Sequence, residues 1–177
     1  MAPNSDPTPD PTSDPTFRLT FDLTLDCTDA LRVAAFWKTA LGYVDEPPPP
    51  PFTTREEWHA SFDLPEDDSV DDGAWLSAPD GTGPRLAILK VPEPKTAKNR
   101  LHIDVRVPGH GSAEDRWARI RAESQRLVKA GGSVVEEFDG HHVLMADPEG
   151  NEFCVAAGPT YDRAARMARL RDRNTGS

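Results

Sequence analysis

The sequence predicts an α+β fold made of two similar halves, each running strand, helix, then a small group of strands. Three observations carry this. Two segments, FRLTFDLTLD (17–26) and LHIDVRV (101–107), alternate apolar and polar residues with a strand period. Each is followed by a stretch whose apolar residues recur at helical spacing. Finally, the turn APDG (78–81) before RLAIL echoes the turn ADPEG (146–150) before NEFCV. Repetition at roughly 80 residues is too long for a solenoid and points to a duplicated unit. Such halves commonly enclose a shared cavity, a natural place for a ligand.

Residues 1–16 repeat Asp-Pro-Thr and hold no large aliphatic or aromatic residue after Met1, so a flexible tail is expected there. The first strand puts Phe17, Leu19, Phe21, Leu23 and Leu25 on one face and Asp22, Thr24 and Asp26 on the other. Asp29 then caps a helix striped by Val33, Phe36, Trp37, Ala40 and Leu41, which Gly42 ends. Pro47 to Pro51 forms a stiff polyproline spacer. Thr54-x-x-Glu57 is a capping-box pattern that opens a short helix carrying Trp58 and Phe62. An acidic loop leads to strands at Ala74–Ala78 and Arg85–Val91, joined by the turn Pro79-Asp80-Gly81.

After the linker PEPKTAKN, the 101–107 strand sets Leu101, Ile103, Val105 and Val107 against His102, Asp104 and Arg106. Ser112 to Ala130 reads as an amphipathic helix striped by Trp117, Ile120, Leu127 and Val128, stopped at Gly131-Gly132. Three short strands follow: SVVEEF, HHVLMA and EFCVA, the last two separated by Asp147-Pro148-Glu149-Gly150-Asn151. Residues 161–171 read as an Arg-rich helix. The expected division is a tail at 1–16, a first unit at 17–98 with an acidic, Pro-rich insertion at 45–73, a second unit at 99–158, and a basic C-terminal helix and tail at 159–177.

At 177 residues the chain suffices for one well-packed domain. A net charge of −10 argues against a nucleic-acid partner, which needs a basic footprint. No apolar run is long enough to span a bilayer and no leader pattern opens the chain, so a cytoplasmic protein without a membrane partner is expected. Cys27 and Cys154 cannot define a disulfide framework. Charge is uneven: residues 45–72 hold ten acids against Arg55 alone, whereas 161–173 hold five arginines against Asp162 and Asp172. Two solvated surfaces explain this; a basic tail packed on the acidic segment, within one chain or across a homodimer, is the sharper reading.

Three stretches, LDCTDALRVAAFWKTALGY (25–43), GPRLAILKVPEPKTAKNRLHIDVRV (83–107) and VLMADPEGNEFCVA (143–156), resemble glyoxalase-like domains of the vicinal-oxygen-chelate superfamily. That superfamily includes glyoxalase, bleomycin-resistance proteins and extradiol dioxygenases. The resemblance covers roughly 17–158 in order. It implies two βαβββ modules whose curved mixed sheets form a cup-shaped pocket. In metal-using members, four inward side chains, typically two His and two Glu, hold one divalent ion. Carried onto this chain, those positions fall at Asp22, at Ala87 or Leu89, at His102 and at Cys154. Only one familiar ligand remains, and a divalent ion needs three or four good donors. No cofactor is therefore expected; a divalent metal (Zn, Ni, Mn or Fe) on His102, Asp22 and Cys154 is the fallback.

His102 is the candidate general acid or base, with Asp22 paired to it across the sheet or Asp104 adjusting it; a buried, hydrogen-bonded His of structural origin weighs about equally. Asp22, His102, Asp104, Trp75, Met145 and Cys154 form the expected ligand-binding set. Cys154 and Cys27 lack a visible activating base and read as small core residues. Phe36 and Trp37 read as core, and Trp58 as a lid or core. His141 and His142 point to opposite faces of a strand and cannot readily chelate one ion. Arg85 and Arg100 suit either an anionic substrate or the surface. The first functional expectation is a binding protein or metal-independent enzyme for a small organic ligand, sequestration of a toxic compound or antibiotic included. The alternatives are a divalent-metal-dependent lyase, isomerase or dioxygenase on a vicinal-oxygen substrate, and an interaction module with no small ligand.

Overall fold

The computed structural model describes residues 20–62 and 73–158, so the tails, the expected Arg-rich helix and most of the acidic loop lie outside the described residues. The elements run β1 (Leu23–Cys27), α1 (Ala30–Leu41), β2 (Val44–Asp45), α2 (Arg55–Ala60), β3 (Gly73–Ser77), β4 (Leu86–Lys90), β5 (Asp104–Val107), α3 (Ala113–Lys129), β6 (Ser133–Phe138), β7 (His142–Ala146) and β8 (Glu152–Ala157). They make two four-stranded mixed sheets, β1-β4-β3-β2 and β5-β8-β7-β6. In each, the first strand pairs parallel with the last, and the remaining pairs are antiparallel. The fold is α+β with two βαβββ units, and the two sheets have the same strand order.

Local chemistry sets the element ends. The Asp29 side chain accepts the Arg32 N–H at 3.0 Å, capping α1, and Gly42 closes the helix at φ 69°, a left-handed conformation that costs glycine little. Thr54 and Glu57 exchange hydrogen bonds as a capping box at α2. Ser112 and Asp115 do the same at α3. Val33, Phe36, Trp37 and Ala40 of α1 are buried, as are Ile120 and Leu127 of α3. They pack with Leu76, Leu86, Ile88, Val143, Met145, Phe153 and Val155 in a single hydrophobic cluster spanning both sheets.

Three departures from the sequence reading have plain causes. Phe21 is 68% exposed because β1 pairs with β4 only from Leu23 onward, so Phe21 extends beyond the sheet. Leu101 is 70% exposed and precedes β5, which starts at Asp104. The two-residue β2 has no counterpart in the sequence reading; it is too short for its alternation to register.

The halves are joined through the turn before β8. Asp147 is 3% exposed, and its carboxylate accepts the Trp37 indole N–H at 3.2 Å. It also accepts the backbone N–H of Glu149 and Asn151, both at 2.9 Å, and the Asn151 side-chain amide. Glu149 in turn accepts the Thr28 N–H and hydroxyl and the Asp29 N–H, each at 2.7 Å, just before α1. The Arg32 guanidinium donates to the Pro148 carbonyl. Around this clasp the rings of Phe36, Trp37 and Phe153 meet edge to face, their centroids 5.3–5.5 Å apart. Replacing Asp147 with Ala leaves several buried donors without acceptors, at about 1 kcal/mol or more each. Urea denaturation of Asp147→Ala should show a loss of about 2–4 kcal/mol; a loss within about 0.5 kcal/mol, typical of an ordinary surface change, would show the clasp to be dispensable.

Candidate functional site

A roomy opening lies where β1, an edge strand, faces the segment leading into β5. It has a volume of about 590 Å³, within the range of small-molecule sites. Leu23, Leu25, Val91, Leu101 and Ile103 supply apolar walls, with Trp37 behind them. Thr24 and Asp26 reach it from the polar face of β1. Lys95 and Asn99 enter from the linker and Arg100 from just after it, Glu149 and Asn151 from the turn before β8, and Glu152 from the start of β8. The wall is thus built by elements of both halves, and the Asp147 clasp holds one side of it.

Its electrostatics centre on one ion pair. Lys95 Nζ lies 2.9 Å from Glu152 Oε2, and both side chains are mostly buried. Glu152 also accepts the Asn99 backbone N–H at 3.0 Å. The Lys95 ammonium, with that N–H, holds the Glu152 carboxyl down at about 2. For Glu149, burial pushes the carboxyl up, but the donors of Thr28 and Asp29, aided by Arg32, outweigh it and leave it below the usual range. Cys27 also lines the cleft. Burial foremost, then the Glu149 charge, pushes its thiol up to about 11, so near neutral pH it is protonated and a poor nucleophile.

None of the six residues expected from sequence lines this cleft. Asp22 is half-exposed, 3.7 Å from the Arg85 guanidinium. The His102 Nε2 donates to the Asn99 carbonyl at 3.2 Å, a contact that places the proton on that nitrogen. Among the described residues no hydrogen bond links Asp22 to His102. Asp104 and Cys154 are register partners across β5 and β8, and Asp104 is ion-paired with Arg106. Burial, followed by the Asp104 charge and hydrogen bond, raises the Cys154 thiol. Met145 is fully buried in the core, on the face of β7 opposite Leu144, and Trp75 stacks on Arg55 with 4.5 Å from guanidinium to ring. The structure therefore brings Asp104 and Cys154 together and leaves the others apart.

The donor set does not fit a resident divalent ion. Among the described residues no three His, Cys, Asp or Glu side chains gather as ligands, so Asp22, His102 and Cys154 do not form the fallback site. Ala87 and Leu89, on the polar face of β4 beside Thr24 and Asp26, offer no donor at all.

The cleft residues that sequence reasoning missed sit in plain sight: Lys95 and Asn99 in the linker, Glu149 and Asn151 in the turn before β8, and Glu152 as the first residue of β8. The available signal was a lysine in the linker and a glutamate of opposite sign at the start of the last strand. Because Glu152 titrates lower folded than its ordinary 4.5, its pairing stabilises fully above about pH 5 and is lost as pH falls toward 2. Thermal unfolding followed by circular dichroism from pH 6 to pH 2 should show the melting-temperature gap between wild type and Glu152→Gln closing steadily on acidification. A gap independent of pH would mean the pair contributes nothing.

No curated protein matches the sequence. Among solved structures, the fosfomycin resistance protein FosX from Mesorhizobium loti superposes with a TM-score of 0.55 at 14% identity, covering 85% of this chain and 100% of that one. A Glu-to-Gln variant of FosX from Listeria monocytogenes, complexed with Mn(II) and 1S,2S-dihydroxypropylphosphonic acid, gives 0.52 at 13% identity, over 85% and 100%. A possible glyoxalase from Bacillus cereus gives 0.50 at 16% identity, over 78% and 97%. At such identities the likeness speaks for the fold alone. The family model of the glyoxalase-like domain matches residues 22–156, from just before β1 to the end of β8, and the chain belongs to that family.

Proposed function

We propose that this protein binds a small organic molecule in the cleft between β1 and the segment before β5, either to sequester it or to act on it without a metal. The observation that carries the reading is the cleft itself: about 590 Å³ of open space with apolar walls and a few fixed polar groups. An interaction module with no small ligand would be expected to fill this space with its own side chains. Asp26, Asn99 and Arg100 are the groups placed to orient a ligand, while the Lys95–Glu152 pair stiffens the wall. Residues 17–98 and 99–158 would act as two modules contributing jointly to one site. A cytoplasmic location and a homodimer belong to the same reading.

The second reading is metal-dependent chemistry on a vicinal-oxygen substrate, as the Mn(II) complex of one FosX variant suggests by analogy. The residues at the ligand positions argue against it, since one of the four positions falls at Ala87 or Leu89, neither of which can donate to a metal.

Two measurements test the proposal. Elemental analysis of the purified protein should find less than stoichiometric zinc, nickel, manganese and iron; one equivalent of any of them would reverse the choice between readings. A thermal-shift screen over a metabolite and antibiotic library should find ligands that raise the melting temperature. That shift should vanish in Thr24→Trp, which sets a large ring into the cleft from an exposed strand position, while the ligand-free melting temperature stays within a few degrees. A ligand whose shift survives Thr24→Trp binds elsewhere, and the cleft assignment then fails.

A further inference from the structure

The outer edge of β1 is unpaired. β1 and β5 are terminal strands of separate sheets, and among the described residues no backbone hydrogen bond joins them. Toward β4, the Leu23 N–H donates to the Arg85 carbonyl and the Cys27 carbonyl accepts the Val91 N–H, both at 2.8 Å. In a parallel ladder only every second residue of a strand bonds a given neighbour, so Leu23, Leu25 and Cys27 serve β4. The N–H and C=O groups of Thr24 and Asp26 therefore point the other way, and among the described residues no backbone partner takes them. All five residues of β1 line the cleft, those of the core face and those of the polar face alike. The opening thus runs alongside the strand rather than over one face of it.

We infer that the ligand of this cleft is a short extended peptide with a basic residue, which adds to β1 as a further strand. The inference rests on the small-molecule reading of the cleft and names the ligand class. Three features select that class. Thr24 and Asp26 offer two donors and two acceptors at the strand's own repeat, and a peptide main chain returns the same groups at the same repeat. The five residues of β1 extend about 17 Å, the reach of a peptide of like length. Leu23, Leu25 and Ile103 give apolar contact to alternate side chains of such a chain. Charge sets the sign. Of the four acids in the lining, Glu152 is paired with Lys95, and Glu149 is held by Thr28, Asp29 and Arg32. Asp26 and Glu93 remain against Arg100, leaving the lining negative and repelling an acidic chain.

Acetyl-Val-Lys-Val-Thr-Val-amide is a suitable probe, titrated by calorimetry into the full chain beside five analogues, each N-methylated at one residue. Saturable binding of the parent peptide is expected. N-methylation should weaken it roughly fivefold or more at alternate residues and roughly twofold or less at those between, since only every second N–H of an added strand meets β1. Glutamate in place of the lysine should weaken binding roughly fivefold or more. Thr24→Pro removes one outward N–H at an edge position that tolerates proline, and should weaken the parent peptide roughly fivefold or more. Thr24→Val keeps that N–H and should stay within about twofold of wild type. Circular dichroism and the melting temperature establish that each variant is folded; if Thr24→Pro does not fold, the N-methylation pattern on wild type decides alone. The inference is overturned by absence of peptide binding, by losses that do not alternate, by the glutamate peptide binding as well as the lysine peptide, by a folded Thr24→Pro variant with unchanged affinity, or by peptide binding that survives Thr24→Trp. Library ligands whose shift vanishes in Thr24→Trp while the peptide fails to bind sink this inference alone; library ligands whose shift survives that variant sink the cleft reading beneath it.

Discussion

A buried carboxylate holds the two halves of this protein to one another. Asp147 sits at the head of the turn before β8, where its oxygens take donors from Glu149 and Asn151 of its own turn and from Trp37 of the other unit. A charge withdrawn from water is tolerated only when its lone pairs are filled, and here each partner also performs a second task. Trp37 is the largest fully buried side chain of the core, and the turn presents Glu149 to the backbone donors that precede α1. Together with the Phe36, Trp37 and Phe153 rings, this acid and its donors fix where α1 meets the second sheet.

The cleft inherits its character from that joint. One flank is an edge strand whose two faces differ: Leu23, Leu25 and Cys27 turn toward the core, and Thr24 and Asp26 toward water. The opposite flank is irregular chain, fastened by Lys95 and Asn99 to Glu152 at the start of β8. Apolar packing is thus shared between units while the polar groups come from turns and linker, where backbone geometry is not dictated by a sheet. Burial raises both cysteine thiols, that of the cleft residue Cys27 to about 11, which weakens each as a nucleophile.

Much of the fold was legible in the sequence because it rests on periodicity. The alternation in LTLD, the stripe from Val33 to Leu41 and the three strands after Gly132 all appear where their apolar spacing puts them. Caps were equally readable, as Asp29 and Thr54 show. The site was less so. Alternation tells which residues share a face, but not which strand edge opens onto a cavity, nor that Met145 faces the core while Leu144 does not. Positions carried over from the family pointed to Asp22 and His102. In the structure their partners are instead an arginine just before β4 and a carbonyl three residues back. Arg55 carried no periodic signal; its setting depends on two tryptophans that come together only after α2 folds back on β3.

The strand β6 carries a consequence for solubility. It is an outer strand of its sheet, exposed along its whole length, and it displays Val134, Val135 and Phe138. Such a ribbon would ordinarily invite a neighbouring molecule to extend the sheet. Here the pairing with β7 slips between Val134 and Glu136, which breaks the regular row of backbone donors and acceptors, and Glu136 and Glu137 add repelling charge beside the valines. Both features make β6 a poor template for an added strand, and because part of the hindrance is charge repulsion, high salt would screen that part.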